Sequence, residues 1–372
     1  MIYQEKWKAE RERRAFLALA DGTIFHGVAF GSRQDALGEV VFNTGMTGYQ
    51  EILTDPSYAG QFVTLTSPEI GNYGTNPEDI ESRGLFLSGL VVHNLNEPSN
   101  YRSSMSLDAY LKAANRPGIY GVDTRALTIH LREHGNQKAY LHVGPEDLSE
   151  VEAVERARAW EGLDGQDYAA KVTCEKPYVF AEGDADAPHV VCYDFGVKTN
   201  ILRSLSRFAR VTVVPAKTSV QEVLSLKPNG IFLSNGPADP AAVTYAIQAI
   251  GELLKTGIPL MGICLGHQLL SLACGAKTGR LRFGHHGCNH PVKNLRTGHV
   301  EISSQNHNFT VVPETLPACL EVTHVNLNDG SIEGVKHTSL PAFSVQYHPE
   351  SCPGPHDSHY LFEEFRAMIK KI

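Results

Sequence analysis

The chain has 372 residues, of which 42% are hydrophobic and 20% are charged, and its formal net charge is -8. This length favours two domains, and the interspersed acidic excess disfavours binding to nucleic acid or to an anionic membrane surface. Its seven cysteines have no C-x-x-C spacing, which is typical of a reducing compartment. The sequence contains neither an unbroken apolar run of ~18 residues nor the apolar core of a secretory signal. We therefore expect a cytoplasmic protein without a membrane segment.

The N-terminal part of the sequence predicts a β-rich α+β domain over residues 1–145. A hairpin is predicted at "FLALADGTIFHGVAF" (16–30), and Gly, Thr, Asn and Tyr are crowded into residues 42–65. The mixed basic and acidic residues at the extreme N-terminus indicate a solvated helical extension. Residues 146–187 are rich in charge and predict a connector, with one helix over 149–160.

Apolar runs alternate with amphipathic stretches in the C-terminal part, residues 188–372. This alternation predicts βαβ units and a doubly wound, mostly parallel sheet. Ligands bind at the carboxyl ends of such strands, so the loops "DFGVK", "SNGPADP" and "CLGHQ" should converge on one site. Short strands are expected after Gly279, with a hairpin near 326–337 and a last strand at 342–350 before a C-terminal helix. The predicted strands of the parallel sheet are "HVVCYDFG" (189–196), "VTVVPA" (211–216), "GIFLSNGP" (230–237) and "IPLMGICLG" (258–266).

Cys264 stands between two glycines in "GICLG", the G-x-nucleophile-x-G form of a strand-to-helix elbow. The positive end of the following helix dipole favours a thiolate over a thiol. The pentapeptide alone fits a nucleophile, but it also fits a small apolar residue packed where a strand ends.

A general base for this thiol is offered by "QYHPE", where Glu350 follows His348 by two residues at the end of another predicted strand. A carboxylate in that place can hold the imidazole in one tautomer. By itself His-Pro-Glu equally fits a turn that ends a strand. The oxyanion of an acyl-transfer reaction would need backbone donors, for which Leu265 and either Gly236 or Ala238 are candidates.

Four motifs, "SNGPADP", "GICLGHQLL", "QNHNF" and "QYHPE", resemble in order and spacing the class I (triad) glutamine amidotransferase domain. The segments "GEVVFNTGMTGYQEILTDPSY", "GVDTRALT", "YDFGVKTNILR" and "FGHHGCNHPV" narrow the resemblance to the small, glutamine-hydrolysing subunits of carbamoyl-phosphate synthase. This resemblance covers the whole chain except the N-terminal extension.

The resemblance implies that the chain hydrolyses L-glutamine and delivers ammonia to a separate large subunit, within a higher heteromeric assembly. That partner would use ATP, Mg and bicarbonate to make carbamoyl phosphate for arginine and pyrimidine biosynthesis. The chain itself would need no cofactor, which agrees with the lack of a G-x-x-x-x-G-K-[ST] phosphate loop in its sequence.

Position by position, the resemblance implies Cys264 as nucleophile, with His348 and Glu350 completing the triad. Three of the implied glutamine-binding positions depart from the common family pattern, since Gly45 replaces Ser, and Ala238 and Asn308 each replace Gly. Tyr347 also stands where Gly is common, beside the proposed base. The implied glutamine-binding residues are Gly45, Gly236, Ala238, Leu265, Gln268, Asn306, Asn308 and Phe309.

A metal site is a further possibility at "GHHGCNH", where His285, His286, Cys288 and His290 are all potential zinc ligands. Ligands at such short spacing rarely give tetrahedral geometry, and the family resemblance implies no metal, so we expect none.

Two alternative functions are an amidotransferase subunit of another synthase, such as that of anthranilate or GMP synthesis, and a non-catalytic regulatory subunit. The N-terminal domain argues against the first, and intact Cys264, His348 and Glu350 argue against the second.

Overall fold

The computed structural model of the chain describes residues 13–144, 147–237 and 239–370. Most of the expected N-terminal extension, and the candidate residue Ala238, lie outside the described residues. The chain divides into two compact units, Met1–Leu163 and Asp164–Ile372. No helix in the described part of the chain is long and apolar enough to cross a membrane.

The first unit is built around a closed barrel with the strand order β1-β2-β8-β6-β4-β3-β9. The strands β3, β4, β6 and β8 pair in parallel, and the other barrel pairs are antiparallel. The strands are β1 Arg14–Leu19, β2 Ile24–Gly31, β3 Ala36–Asn43, β4 Gln61–Leu65, β5 Glu69–Ile70, β6 Gly89–Val91, β7 Asn94–Leu95, β8 Pro117–Tyr120 and β9 Gln137–His142; the helices are α1 Tyr49–Thr54, α2 Leu107–Ala113, α3 Thr124–His134 and α4 Glu150–Ala159.

Two local predictions for this unit are confirmed. The hairpin of β1 and β2 forms, and its turn is closed by the bond from the Leu19 N–H to the Thr23 carbonyl at 2.9 Å. Helix α4 begins at a capping box, in which the Ser149 side chain accepts from the Glu152 N–H while the Glu152 carboxylate accepts from the Ser149 N–H. The apolar face of α4 packs against β1 and β9.

Closure of the strands into a barrel was not predicted, because it depends on pairing between β1 and β9 at opposite ends of the unit.

The second unit contains a ten-stranded sheet with the order β10-β12-β11-β13-β14-β19-β18-β17-β15-β16. Its strands are β10 Tyr178–Ala181, β11 His189–Asp194, β12 Arg210–Pro215, β13 Gly230–Leu233, β14 Leu260–Ile263, β15 Thr278–Asn294, β16 Val300–Val311, β17 Leu320–Asn326, β18 Ile332–His337 and β19 Ala342–Val345; its helices are α5 Ala169–Val172, α6 Thr199–Ser206, α7 Val220–Ser225, α8 Thr244–Leu254, α9 Leu265–Ala273 and α10 Tyr360–Ile369. Short 3₁₀ turns occur at Pro56–Tyr58, Pro240–Ala242 and Pro313–Thr315.

The five strands β12, β11, β13, β14 and β19 lie side by side and run parallel. Their apolar runs are continuous because both faces of the sheet are covered. In β11, Val190 and Cys192 pack into one core with residues of α6 and α10, whereas Val191 and Tyr193 pack into a second core with residues of α8 and α9. The carboxyl ends of these strands therefore meet along one edge.

The region after Gly279 differs from the prediction of short strands. Strand β15 is 17 residues long and pairs with the 12-residue strand β16, with register shifts between Arg280 and His285 and again between Gly287 and His290. Gly284 and Gly287 adopt positive φ angles of 70° and 154° at these irregularities. Such bulges interrupt the alternating pattern of side chains, so the sequence suggests separate strands where the structure has one. The predicted hairpin near 326–337 is confirmed as β17 and β18.

Candidate active site

Cys264 occupies the sharp turn between β14 and α9. Its φ of 53° and ψ of -104° are rarely adopted by non-glycine residues and cost on the order of 1–3 kcal/mol. The flanking glycines are required by space, because a Cβ on Gly262 would lie 2.7 Å from the Gly266 carbonyl and a Cβ on Gly266 would lie 2.3 Å from the Leu233 oxygen. The strain and the close approach together have the form of a nucleophile elbow.

The thiol of Cys264 is buried and lies beside the neighbouring strand β16. Its Sγ is 3.5 Å from the main-chain oxygen of Asn306. The Cys264 N–H donates to the Val345 carbonyl at 2.9 Å, which continues the parallel pairing of β14 with β19 to the tip of the elbow. The end of β19, and the residues that follow it, are therefore held next to the thiol-bearing turn.

His348 and Glu350 follow β19 and form a buried pair. The His348 Nδ1 lies 2.7 Å from Glu350 Oε1, and the His348 N–H donates to the Ser304 carbonyl at 2.9 Å. Because a carboxylate can only accept, the proton of the neutral His348 ring lies on Nδ1 and the lone pair lies on Nε2. The Nε2 atom is buried and has no hydrogen-bond partner among the described residues. This is the tautomer that a general base at Nε2 requires.

Lys198 is a further member of this group that was not predicted from the sequence. Its Nζ lies 2.7 Å from Glu350 Oε1 and donates to the Ser351 carbonyl at 2.8 Å, with both side chains buried. Burial acts to raise the pKa of Glu350, but the charges of Lys198 and His348 and their hydrogen bonds outweigh it and lower the pKa to about 2. Glu350 is therefore an anion at neutral pH. The position of Lys198 in the "DFGVK" loop was the available signal, because that loop was expected at the site.

The predicted convergence of three loops is confirmed. The Phe195 N–H donates to Ser234 Oγ at 2.9 Å, and the Lys198 N–H donates to Asn235 Oδ1 at 3.1 Å. The Gly266 N–H donates to the Ser234 carbonyl at 3.0 Å. The loops after β11, β13 and β14 are thus hydrogen-bonded to one another at the carboxyl edge of the sheet.

Gly236 and Leu265, two predicted glutamine-binding residues, are in close contact. A Cβ on Gly236 would lie 2.3 Å from the Phe195 oxygen and 2.7 Å from Leu265 Cδ2, so only glycine fits there. Gln268 and Phe309 are also joined, because the Gln268 side-chain amide donates to the Phe309 carbonyl at 2.7 Å. Gln268 therefore links α9 to β16.

Asn306 and Asn308 lie on β16 and share one partner, His286 of β15. His286 Nδ1 is 3.0 Å from Asn306 Oδ1, and Nε2 is 3.0 Å from Asn308 Oδ1. Burial lowers the pKa of His286 to about 4 despite these hydrogen bonds, so the ring is neutral. A neutral imidazole donates from one nitrogen only, so one of the two amides must present its NH₂ group to the other nitrogen. The Asn308 side chain, where the family usually has Gly, thus has a defined partner.

Two further positions have defined local contacts. Tyr347 is fully buried, and its hydroxyl donates to Glu301 Oε2 at 3.3 Å, so its ring belongs to the core beneath the strand end. Gly45 lies in the first unit, where its N–H donates to Asn43 Oδ1 at 2.7 Å. The second unit brings together Cys264, His348, Glu350, Gly236, Leu265, Gln268, Asn306, Asn308 and Phe309 on neighbouring loops and strands.

Comparison with known proteins supports the division seen in the chain. Residues 191–368 match the family model of class-I glutamine amidotransferases, and residues 17–141 match that of the carbamoyl-phosphate synthase small chain, CPSase domain. The carbamoyl phosphate synthase small chain of Chlorobaculum tepidum is 52% identical over 366 residues, covering 97% of this chain and 99% of its own length. The chain belongs to the carbamoyl phosphate synthase small chain family.

Other members of the carbamoyl phosphate synthase small chain family are equally similar. The protein of that name from Escherichia coli is 52% identical over 375 residues, with 96% of this chain and 98% of its own length covered. A solved glutamine amidotransferase from Thermotoga maritima is 20% identical over 50% of this chain and 84% of its own, with a TM-score of 0.35. The match of residues 17–141 decides against an amidotransferase subunit of a different synthase.

Proposed function

We propose that this chain hydrolyses the side-chain amide of L-glutamine at Cys264, as the amidotransferase subunit of carbamoyl-phosphate synthase. The observation that carries the proposal is the pairing of two strand ends, one with a thiol on a strained elbow and the other with an imidazole whose tautomer is set by Glu350. A non-catalytic subunit would not need to retain a strained cysteine beside a buried ion pair.

The proposed reaction proceeds through a thioester. His348 Nε2 takes the proton of the Cys264 thiol, the thiolate attacks the amide carbon of glutamine, and the C–N bond breaks as the His348 imidazolium returns that proton to the departing ammonia. Water, deprotonated by His348 Nε2, then attacks the thioester and releases glutamate together with the thiol. Glu350 remains an anion throughout and stabilises the imidazolium form of His348.

The proposed oxyanion donors are the backbone N–H groups of Leu265 and Gly236. Leu265 begins α9 directly after the nucleophile, and the Gly236 backbone is packed against it. Donors aimed at the oxyanion typically contribute about 3–4 kcal/mol to lowering the barrier. The substrate would be held by Gln268, Asn306, Asn308 and Phe309, with Gly45 and Ala238 as further contacts.

The proposed partner is the large subunit of carbamoyl-phosphate synthase. It would receive the ammonia and use ATP, Mg and bicarbonate to form carbamoyl phosphate for arginine and pyrimidine biosynthesis, in a cytoplasmic heteromeric complex. The chain needs no cofactor for its own half-reaction, since a thiolate, an imidazole and backbone donors suffice for amide hydrolysis.

The proposal also includes the arrangement of the parallel sheet and the boundaries of the domains. The two apolar cores on opposite faces of β11 support a doubly wound arrangement of the parallel strands. We divide the chain functionally into an N-terminal small-subunit domain over residues 1–145, a connector over 146–187 and a glutaminase domain over 188–372.

Replacement of Cys264 separates glutamine hydrolysis from the synthesis of carbamoyl phosphate from ammonia. In the complex with the large subunit, Cys264→Ser should abolish glutamine-dependent carbamoyl phosphate synthesis, while synthesis from added ammonia persists. The matched control is Cys274→Ser, at the other end of α9, which should leave both activities in place. Unchanged glutamine-dependent synthesis by Cys264→Ser would eliminate Cys264 as the nucleophile.

A further inference from the structure

Three buried side chains from three strands meet beside the candidate active site. His285 of β15 and His307 of β16 are a direct cross-strand pair, with their ring centroids 4.9 Å apart. Glu333 of β18 reaches the same place. One potential ligand atom from each of the three lies within 4.8 Å of the other two. None of these side chains has a role in the proposed glutamine hydrolysis.

In its neutral form His285 would present a lone pair to this cluster. Its Nε2 lies 2.8 Å from Asp329 Oδ2, so the proton of the neutral ring is held at Nε2. Its Nδ1 is buried, has no hydrogen-bond partner among the described residues, and lies 3.7 Å from Glu333 Oε1. A histidine whose second nitrogen donates to a carboxylate has the arrangement typical of metal-ligating histidines.

His307 is oriented in the same way by a backbone group. Its Nδ1 lies 2.7 Å from the Phe309 carbonyl oxygen and therefore carries the proton. Burial lowers the pKa of His307 well below the usual value, so Nε2 is a lone pair at neutral pH. The Gln305 side-chain amide lies 3.0 Å from this Nε2 and can donate its NH₂ group there when no metal is bound, so a metal ion would have to displace that contact.

Glu333 supplies an anionic oxygen. The residue is fully buried, and its Oε1 accepts from the Asn326 side-chain amide at 2.8 Å. Its Oε2 is buried without a hydrogen-bond partner among the residues that the structure describes. An unpaired carboxylate oxygen in such a place is costly unless a cation or a proton compensates it.

We propose that His285, His307 and Glu333 bind a divalent transition-metal ion, with Zn²⁺ as the best match to two imidazoles and one carboxylate. Asp329, the Phe309 carbonyl and Asn326 would act as the outer groups that orient the three ligands. A fourth position would be filled by water or by His290, whose Nδ1 is also buried without a partner in the described part of the chain and whose ring lies 5.0 Å from that of His285.

The proposed site uses other ligands than the zinc site considered from the sequence at "GHHGCNH". It also departs from the expectation that the chain binds no metal. Only His285 is retained as a ligand from "GHHGCNH", because His286 is engaged by Asn306 and Asn308. The other ligands come from strands far away in the sequence. The ion would tie the β15–β16 hairpin, which carries Asn306 and Phe309, to the β17–β18 hairpin. Its role is therefore structural support of the strand that faces Cys264.

A second group with suitable atoms, formed by Cys274, Cys319 and His337, is a weaker candidate. His337 Nδ1 accepts from the Ser339 and Leu340 N–H groups, so its proton lies on Nε2, the nitrogen that a metal would need. Burial also raises the pKa of the Cys274 thiol to about 12, which disfavours the thiolate.

A proton is the competing occupant of the proposed site. Burial lowers the pKa of His285, but the hydrogen bond to Asp329 and the negative charges of Glu333 and Asp329 outweigh it and raise the pKa to about 9. A bound metal ion must therefore displace one proton from His285 to solvent, and the Nδ1 lone pair then forms the bond to the metal.

The test uses the full chain, stripped of metal and then titrated with Zn²⁺ alone. We expect about one tightly bound ion per chain and an increase in the melting temperature on binding. Glu333→Gln should weaken zinc affinity by about tenfold or more, because it removes the anionic ligand. Glu301→Gln is the matched control, since Glu301 is a buried carboxylate on β16 outside the cluster and should leave affinity unchanged.

Titration with Co²⁺ keeps the proposal testable even if the Glu333→Gln chain does not fold. Ligation by imidazole and carboxylate predicts visible d–d absorption without an intense thiolate charge-transfer band. Failure of the metal-free wild-type chain to bind either ion would overturn the proposal and would favour protonated His285. A thiolate band would also overturn it, because the ion would then be held by cysteines. Glutamine hydrolysis through Cys264 stands independently of both outcomes.

Discussion

At the scale of single residues, the most informative feature of the site is the buried contact between Lys198 and Glu350. A lysine buried beside Glu350 compensates the charge of the carboxylate that orients His348. Its role could not be predicted from "DFGVK" alone, since most lysines are solvated, and only the packed structure removes this one from water. Cys264, His348 and Glu350 were predicted from the resemblance to class I glutamine amidotransferases, because each of their motifs taken alone also fits a turn that ends a strand.

Lys198→Met is expected to uncouple Glu350 from its cation. The depressed pKa of Glu350 contributes stability that is present above its ordinary value of 4.5 and is lost as the pH falls towards about 2. Without Lys198 this pKa rises, so the acid limb of the glutaminase pH–rate profile should move to higher pH. The buried charge left unpaired should also lower the free energy of unfolding by about 3–5 kcal/mol at pH 7.

Kinetics across pH and urea unfolding measure these two effects. Lys171→Met is a suitable control, because the exposed Lys171 side chain lies over the ring of Tyr168 rather than beside Glu350. An acid limb and a pH dependence of stability that both stay in place in Lys198→Met would show that the lysine does not set the ionisation of Glu350.

The elbow between β14 and α9 is the element on which the site depends. The pattern G-x-C-x-G predicted a strained turn, and the positive φ of Cys264 confirms it. The long β15–β16 hairpin was wrongly predicted as short strands, because its glycine bulges hide the alternation of side chains. A short sequence pattern therefore predicts a turn of defined geometry, but it does not predict the length of a strand that contains bulges.

Gly266→Ala tests the space requirement of the elbow. Its Cβ would lie 2.3 Å from the Leu233 oxygen, so the backbone of β13 or α9 must shift, at a cost of about 1–3 kcal/mol in unfolding free energy, with a loss of glutaminase activity. Gly251→Ala in α8 is the matched control, since a Cβ there meets nothing within 4 Å and alanine favours a helix by about 1 kcal/mol. Equal stabilities of the two variants in urea would contradict the steric explanation.

The second unit as a whole holds several histidines in neutral form. Burial lowers the pKa of His267 to about 3 and that of His324 to about 4, with neighbouring positive charge adding to the effect. A depressed histidine pKa means that the unfolded chain binds more protons below pH 6.5, so the stability contributed by each group is present above that pH and is lost as the pH falls. Acid should therefore weaken this unit.

His324→Gln should reduce the loss of stability between pH 7.5 and pH 5.5 by about 1 kcal/mol relative to the unmodified chain. The quantity to compare is the difference in unfolding free energy between the two pH values, measured by urea denaturation, because the substitution also changes stability at both. The same difference in the His324→Gln chain and in the unmodified chain would rule out His324 as a contributor.

The amino-acid sequence by itself determined the alternation of strands and helices that builds the parallel sheet, and the elbow at Cys264. These follow from periodicity and turn chemistry, which act over a few neighbouring residues. Only the tertiary structure decided the closure of the barrel, the burial of Lys198 against Glu350 and the meeting of His285, His307 and Glu333. Each of these joins residues from distant segments, and the desolvation that gives them their chemistry exists only once the strands have packed.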